Sequence, residues 1–119
     1  MRVVITGATG NVGTSLVEAL GGEPEVSAIL GLARRTPAWQ PSKTTWAQAD
    51  TYRDDLVPHF RDADVVVHLA WIFQPTHDEV TTWRHNVLGS MRVFEAAAEA
   101  GVGNLVYASS IGAYSPGPQ

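Results

Sequence analysis

The sequence predicts an α/β fold: a parallel sheet of five strands in the order 3-2-1-4-5, with helices on both faces. Three observations point there. Short apolar runs alternate with segments of helical period along the 119 residues, the pattern of strands joined by helical crossovers. The runs are continuous rather than alternating, as in Val3-Val4-Ile5 and Val65-Val66-Val67, which marks strands buried on both faces of a parallel sheet. The first run opens directly into Thr6-Gly7-Ala8-Thr9-Gly10-Asn11-Val12-Gly13, a glycine-rich turn that leads into a helix. Right-handed crossovers then give the strand order, with a switch point between strands 1 and 4.

Strand 1 is expected at about residues 2–6 and the first helix at about 11–20, on the period of Val12, Leu16 and Leu20. Gly21-Gly22 reads as a left-handed stop. Residues 26–33 form the second strand, closed by Arg34-Arg35-Thr36-Pro37, and Pro37 and Pro41 keep the next stretch a loop. A short third strand follows at 44–49 and a short helix at 54–60. Asp64-Val65-Val66-Val67-His68-Leu69 is strand 4. Thr76-His77-Asp78-Glu79 reads as a capping box. It opens a long helix whose apolar positions, Val80, Trp83, Val87, Met91, Phe94 and Ala98, keep a 3.6-residue period, and Gly101 or Gly103 ends it. Leu105-Val106-Tyr107-Ala108 is strand 5. The long helix covers one face of the sheet. On the other face, Val65, Val66, Val67, Leu69, Leu105 and Val106 are left without cover, so residues beyond Gln119 or a partner chain are expected to pack on strands 4 and 5.

The carboxyl ends of the strands carry the chemistry. Gly7 lets the chain turn off strand 1, Gly10 lets a pyrophosphate approach the backbone, and Gly13 lets the helix pack close. Thr9, Asn11 and Val12 belong to the same turn, and the helix N-terminus offers unpaired N–H groups. Strand, glycine turn and helix together are the setting of a dinucleotide phosphate site, and the fold is then of the Rossmann type. A P-loop is excluded, because Thr14-Ser15 follow Gly13 with no lysine; the spacing is also not the tighter G-x-G-x-x-G. After strand 2, where a free ribose 2′-hydroxyl usually meets Asp or Glu, stand Arg34 and Arg35. Two guanidinium groups suit a 2′-phosphate, which favours NADP over NAD; the plain alternative is a solvated basic pair. Asp50 is either an acceptor for an adenine amino group or a cap for the next helix. His77 and His85 are too far apart to share an ion and there is no H-E-x-x-H, so no metal site is expected. His68 reads as a core histidine. Ser109 and Ser110 are not a nucleophile elbow, because Tyr107 stands where G-x-S-x-G needs glycine. They either orient a substrate carbonyl or satisfy loop backbone.

Composition narrows the classes further. With 45% apolar and 17% charged residues the chain can bury a core and is not of the disordered kind. A net charge of −4 gives no footprint for nucleic acid or an anionic membrane. Without cysteine, disulfides and thiolate metal sites are excluded. No apolar run reaches membrane-spanning length, and Met1-Arg2 runs straight into strand 1 with no room for a signal peptide. A single cytoplasmic domain, residues 1–119, is expected.

These residues resemble the short-chain dehydrogenase/reductase superfamily in its extended, NAD-dependent epimerase/dehydratase form. Five stretches carry the likeness in order: Thr6 to Gly13; Arg34-Arg35; Asp64-Val65-Val66-Val67-His68-Leu69-Ala70; Asn86-Val87-Leu88-Gly89-Ser90; and Leu105 through Ala108-Ser109-Ser110 to Tyr114. The resemblance implies that Leu69 and Ala70 line the nicotinamide side of the cofactor and that Asn86 is the helix asparagine near the active site. It places Ala108 and Ser109 at the cofactor and makes Ser110 the catalytic serine. It also implies a Tyr-x-x-x-Lys pair a couple of dozen residues past that serine. The 119 residues contain none: Pro118 stands four residues after Tyr114, and Lys43 is the sole lysine. The chain thus resembles the NAD(P)-binding N-terminal portion, cut after strand 5, of an oxidoreductase, epimerase or dehydratase. Its substrate would be a nucleotide sugar or another hydroxyl or carbonyl compound. The cofactor expected is NADP, with NAD possible, and the chain alone is expected to be inactive for want of the acid/base. It is expected as a homo-oligomer or packed against its own C-terminal part. The alternative is a non-catalytic NAD(P)-binding or sensing module.

Overall fold

The structure, a computed structural model, describes residues 1–69 and 79–107, with the side chains of residues 79–85 left aside. Its elements are β1 (Arg2–Thr6), α1 (Asn11–Gly21), β2 (Ala28–Ala33), β3 (Thr44–Gln48), α2 (Val57–Phe60), β4 (Val65–His68), α3 (Glu79–Ala100) and β5 (Asn104–Tyr107). Among the described residues the strands form a five-stranded parallel sheet in the order β3-β2-β1-β4-β5, the order the sequence predicts. Thr6 stands at the carboxyl end of the central strand, paired with Leu32 of β2 on one side and His68 of β4 on the other.

Alternation along each strand sends side chains to the two faces. Val3, Ile5, Ile29 and Val67 pack on one face with Val17 of α1. Val4, Leu30, Leu32 and Val66 pack on the other with Phe60 of α2 and Val93, Ala96 and Ala97 of α3. The continuous apolar runs are therefore strands covered on both sides. At Gly31 the cover is an indole: a Cβ there would meet Trp46 ring carbons at 2.4 and 2.5 Å. Trp46 is held in that seat by its Nε1–H, which donates to Trp39 O at 2.8 Å.

Three expectations are corrected. α1 does not end on a left-handed glycine: Gly22 has φ −92° and ψ −2°. The N–H groups of Gly22 and Glu23 reach back to Ala19 O and Leu20 O, so a tightened last turn satisfies the carbonyls instead. α3 does end that way, with Gly101 at φ 74°, Gly101 N–H on Ala98 O and Val102 N–H on Ala97 O. Second, α3 does not bury its bulky stripe. Ser90, Val93, Ala96 and Ala97 are buried, whereas Met91 is 50% and Phe94 37% exposed and Ala98 is exposed; Val80 and Trp83 have no described side chains. A helix lying close to a sheet needs small residues at the contact, so the period of the large ones marks a different face. Third, β4 is not bare: Val66 and Val67 are buried, and the uncovered strand is β5, with Leu105, Val106 and Tyr107 all exposed. The capping box at 76–79 lies outside the described residues except for Glu79, where α3 begins.

Candidate functional site

A cavity of about 730 Å³ opens at the carboxyl edge of the sheet, within the range of small-molecule sites. Its floor is the turn between β1 and α1. Gly7 leaves β1 at φ 67°, a conformation that favours glycine, and Gly10 N–H closes the turn on Gly7 O at 3.2 Å. Gly10 is the N-cap of α1; it contributes no side-chain hydrogen bond, and the first helical turn holds no acidic residue. The leading amides of α1 therefore lack the usual side-chain acceptor. Gly13 sits against the turn so closely that a Cβ would lie 2.4 Å from Gly7 O and 2.7 Å from Ala8 Cα. Gly7, Thr9, Gly10, Asn11, Val12 and Gly13 all line the cavity, so the turn read from the sequence is brought together as a unit.

The far wall comes from the ends of β2 and β3. Arg34 lines the cavity and Arg35 does not, although both are exposed. Gln48 Nε2 donates to Arg34 O at 3.0 Å, fixing the backbone there. Asp50 lines the cavity and also organises the turn that follows it. Its Oδ1 accepts from Tyr52 N–H at 2.9 Å, its O accepts from Arg53 and Asp54 N–H, and its own N–H donates to Asp54 Oδ2 at 2.7 Å. Asp50 does not cap the next helix, since α2 begins at Val57 with Leu56 as its N-cap and no side-chain cap there; it closes the turn at 50–54 instead. Thr51, Tyr52 and Arg53 line the cavity as well. Their one signal in the sequence is their place just after a strand's carboxyl end. α3 holds this turn from behind: Arg92 donates to Thr51 O at 3.2 Å and Asp54 O at 2.7 Å. At Gly89 a Cβ would meet Thr51 Oγ1 at 3.3 Å.

Between the two walls runs a buried polar line. His68 is 1% exposed. Its Nδ1 pairs with Thr6 Oγ1 at 2.6 Å and its Nε2 with Ser90 Oγ at 2.9 Å, while Leu69 N–H donates to Thr6 Oγ1 at 3.1 Å. Tyr107 stacks on the imidazole at 5.5 Å. Burial lowers the His68 pKa to about 4, because charge is disfavoured away from water; the ring is neutral at pH 7. His68 is thus the satisfied core histidine the sequence suggests. It also ties β1, β4 and α3 together just below Leu69 and Asn86, which line the cavity. Asn86 is itself buried. Ala70, Ala108, Ser109 and Ser110 lie outside the described residues. Among the described residues no group of three His, Asp or Glu side chains is placed to hold a metal ion, and no helix is long and apolar enough to cross a membrane.

The family model of the NAD dependent epimerase/dehydratase family matches residues 3–119. L-arabinose 1-dehydrogenase (NAD(P)(+)) of Haloferax volcanii is 34% identical over 109 residues, 92% of this chain and 41% of that protein. Among solved structures, MoeE5 in complex with UDP-glucuronic acid and NAD superposes with a TM-score of 0.80 at 29% identity, covering 92% of this chain and 37% of that one. UDP-N-acetylglucosamine 4-epimerase from Bacillus cereus superposes with a TM-score of 0.78 at 26% identity, covering 98% and 38%. The chain spans between 12% and 41% of the length of the curated relatives it matches.

Proposed function

Because the chain belongs to the NAD dependent epimerase/dehydratase family, we propose that residues 1–119 are the nucleotide-binding part of an NAD(P)-dependent oxidoreductase or epimerase acting on a sugar or sugar nucleotide. The observation that carries this reading is the uncapped N-terminus of α1 at the floor of the cavity, entered through a left-handed Gly7. An anion there meets backbone donors and the positive end of the helix dipole. The cradle fits such a group: at Gly10 the nearest atom to a Cβ is Gly7 O, 3.5 Å away, so the space above that glycine is open to a ligand. When bound, the nicotinamide would supply hydride transfer.

The chain's own residues divide the remaining work. Gly7, Thr9, Gly10, Asn11, Val12 and Gly13 hold the pyrophosphate. Arg34 faces the adenosine end, beside Asp50, and supports NADP as the preferred cofactor. Leu69 and Asn86 sit toward the nicotinamide end, with Ala70, Ala108 and Ser109 proposed beside them. Ser110 holds a substrate hydroxyl or carbonyl oxygen. The acid/base pair of the family is not among these 119 residues, so binding without turnover is the expected behaviour of this chain by itself. Titration calorimetry with NADPH and NADH tests the reading. Both should bind, NADPH more tightly, with a margin that narrows as salt rises. Failure to bind either removes the proposal, and equal affinities remove its 2′-phosphate part.

A further inference from the structure

We propose that Arg53, from the turn after β3, is the second arm of a phosphate clamp with Arg34, and that Arg35 is not; this rests on the cofactor reading above. At the rim of the main cavity a second hollow of about 510 Å³ is shared by Arg34, Gln48, Asp50, Arg53, Asp54 and His59. Arg34 and Arg53 line both spaces, and Arg35 lines neither. The two carboxylates in the hollow are turned to backbone: Asp50 Oδ1 takes Tyr52 N–H and Asp54 Oδ2 takes Asp50 N–H. Among the described residues neither Arg34 nor Arg53 makes a side-chain hydrogen bond or ion pair. Two guanidinium groups therefore face one space, unpaired, although acids stand beside them.

The backbone under each arm is fixed. Gln48 holds Arg34 O, and Arg53 rides on a turn closed by Asp50 and bolted to α3 by Arg92. Only the side chains need to order when a ligand arrives, which keeps the entropic cost of binding small. Two planar forks lining one hollow suit the several oxygens of a phosphomonoester rather than a single carboxylate. The place, off the carboxyl end of β2 and next to the cavity, is that of a phosphate on the adenosine ribose. The charges of Asp50 and Asp54 oppose such a dianion, so the contribution of Arg53 is moderate, about tenfold in affinity.

The test uses the full chain with two probes, adenosine 2′,5′-bisphosphate and 5′-AMP, titrated at low salt. The bisphosphate should bind more tightly. Arg53→Met should weaken it about tenfold and leave AMP unchanged, Arg53→Lys should restore part of the margin, and Arg35→Met should leave both probes alone. Melting temperatures of the variants should match the parent, since neither side chain has a partner among the described residues. Equal binding of the two probes by the parent, or a margin lost with Arg35→Met and kept with Arg53→Met, overturns the clamp while AMP binding still upholds the nucleotide site. Binding of neither probe overturns both.

Discussion

Substituting Ala for Gly13 and for Gly10 adds the same atom at two places three residues apart, and the consequences should be opposite. At Gly13 the new Cβ falls 2.4 Å from Gly7 O, 2.7 Å from Ala8 Cα and 2.8 Å from Ala8 C. All three are backbone atoms of the turn, so relief requires moving α1 off β1 rather than swinging a side chain. Overpacking of that kind costs about 1–3 kcal/mol, and with three contacts this short the upper figure applies. Alanine returns somewhat under 1 kcal/mol of helix propensity. The net is a loss of about 2 kcal/mol, or roughly 8 °C in Tm for a chain of this size. At Gly10 the added Cβ meets nothing nearer than Gly7 O at 3.5 Å, an ordinary contact; the poorer N-cap preference of Ala, about 0.5–1 kcal/mol, is offset by about 0.4–1 kcal/mol from restricting the unfolded chain, since φ −74° suits alanine. Its methyl stands where the ligand is proposed to lie. Thermal melts and nucleotide titration on both variants read the two effects separately. Gly13→Ala should melt early, whereas Gly10→Ala should melt like the parent and bind NADPH at least tenfold more weakly. A Gly13→Ala protein as stable as the parent would refute the packing argument, and a Gly10→Ala protein that binds normally would refute the cradle.

Two further outcomes follow from the polar contacts behind the site. His68 has a folded-state pKa of about 4 against an ordinary 6.5, so below pH 6.5 the unfolded chain binds the extra proton; the associated stability is complete above pH 6.5 and falls away toward pH 4, by about 3 kcal/mol in all. Urea melts between pH 7 and 4.5 should show that slope, and it should be shallower in His68→Gln even though that variant is less stable throughout. Arg92→Met removes the donors to Thr51 O and Asp54 O, worth about 1–2 kcal/mol together. Hydrogen exchange should quicken at the Arg53 and Asp54 amides, which bond to Asp50 O, and stay unchanged in β1; equal rates in the turn would show that α3 does not hold it.

The sheet was legible because its signals are local. Val3-Val4-Ile5 and Val65-Val66-Val67 are apolar on both sides of the strand, and only a doubly covered strand tolerates that. The face of α3 was not legible for a related reason. Periodicity reports where bulk recurs, and bulk recurs at Val87, Met91 and Phe94. How near the helix axis comes to the sheet decides which face is buried, and that depends on the strands beneath it. Ser90, Ala96 and Ala97 admit a close approach that Met91 and Phe94 would block. The exposed stripe and exposed β5 lie side by side, with Phe94 edge-on to Tyr107 at 5.5 Å. Of the two strands expected to lack cover, only β5 does.

The site divides along the same line. The glycine turn could be read because each glycine answers to a neighbour within six residues: Gly7 to its own φ, Gly10 to Gly7 O, Gly13 to Gly7 and Ala8. On the opposite wall Arg34 and Asp50 could be read, but Thr51, Tyr52 and Arg53 could not, because their turn is held by a residue far away in the chain. Arg92 reaches Thr51 and Asp54 across 41 and 38 positions, and no spacing rule connects them. Adjacency in the sequence does not by itself bring two arginines to one space. Both Arg34 and Arg35 lie past the end of β2, where strand alternation no longer sets direction, and of the two only Arg34 lines the cavity. Two cations can share one space when separate segments at the sheet edge each bring one, and the turn after β3 is held in such a place by Asp50 and Arg92. Arg34 and Arg53 line one hollow in this way, and no spacing in the sequence joins positions 34 and 53.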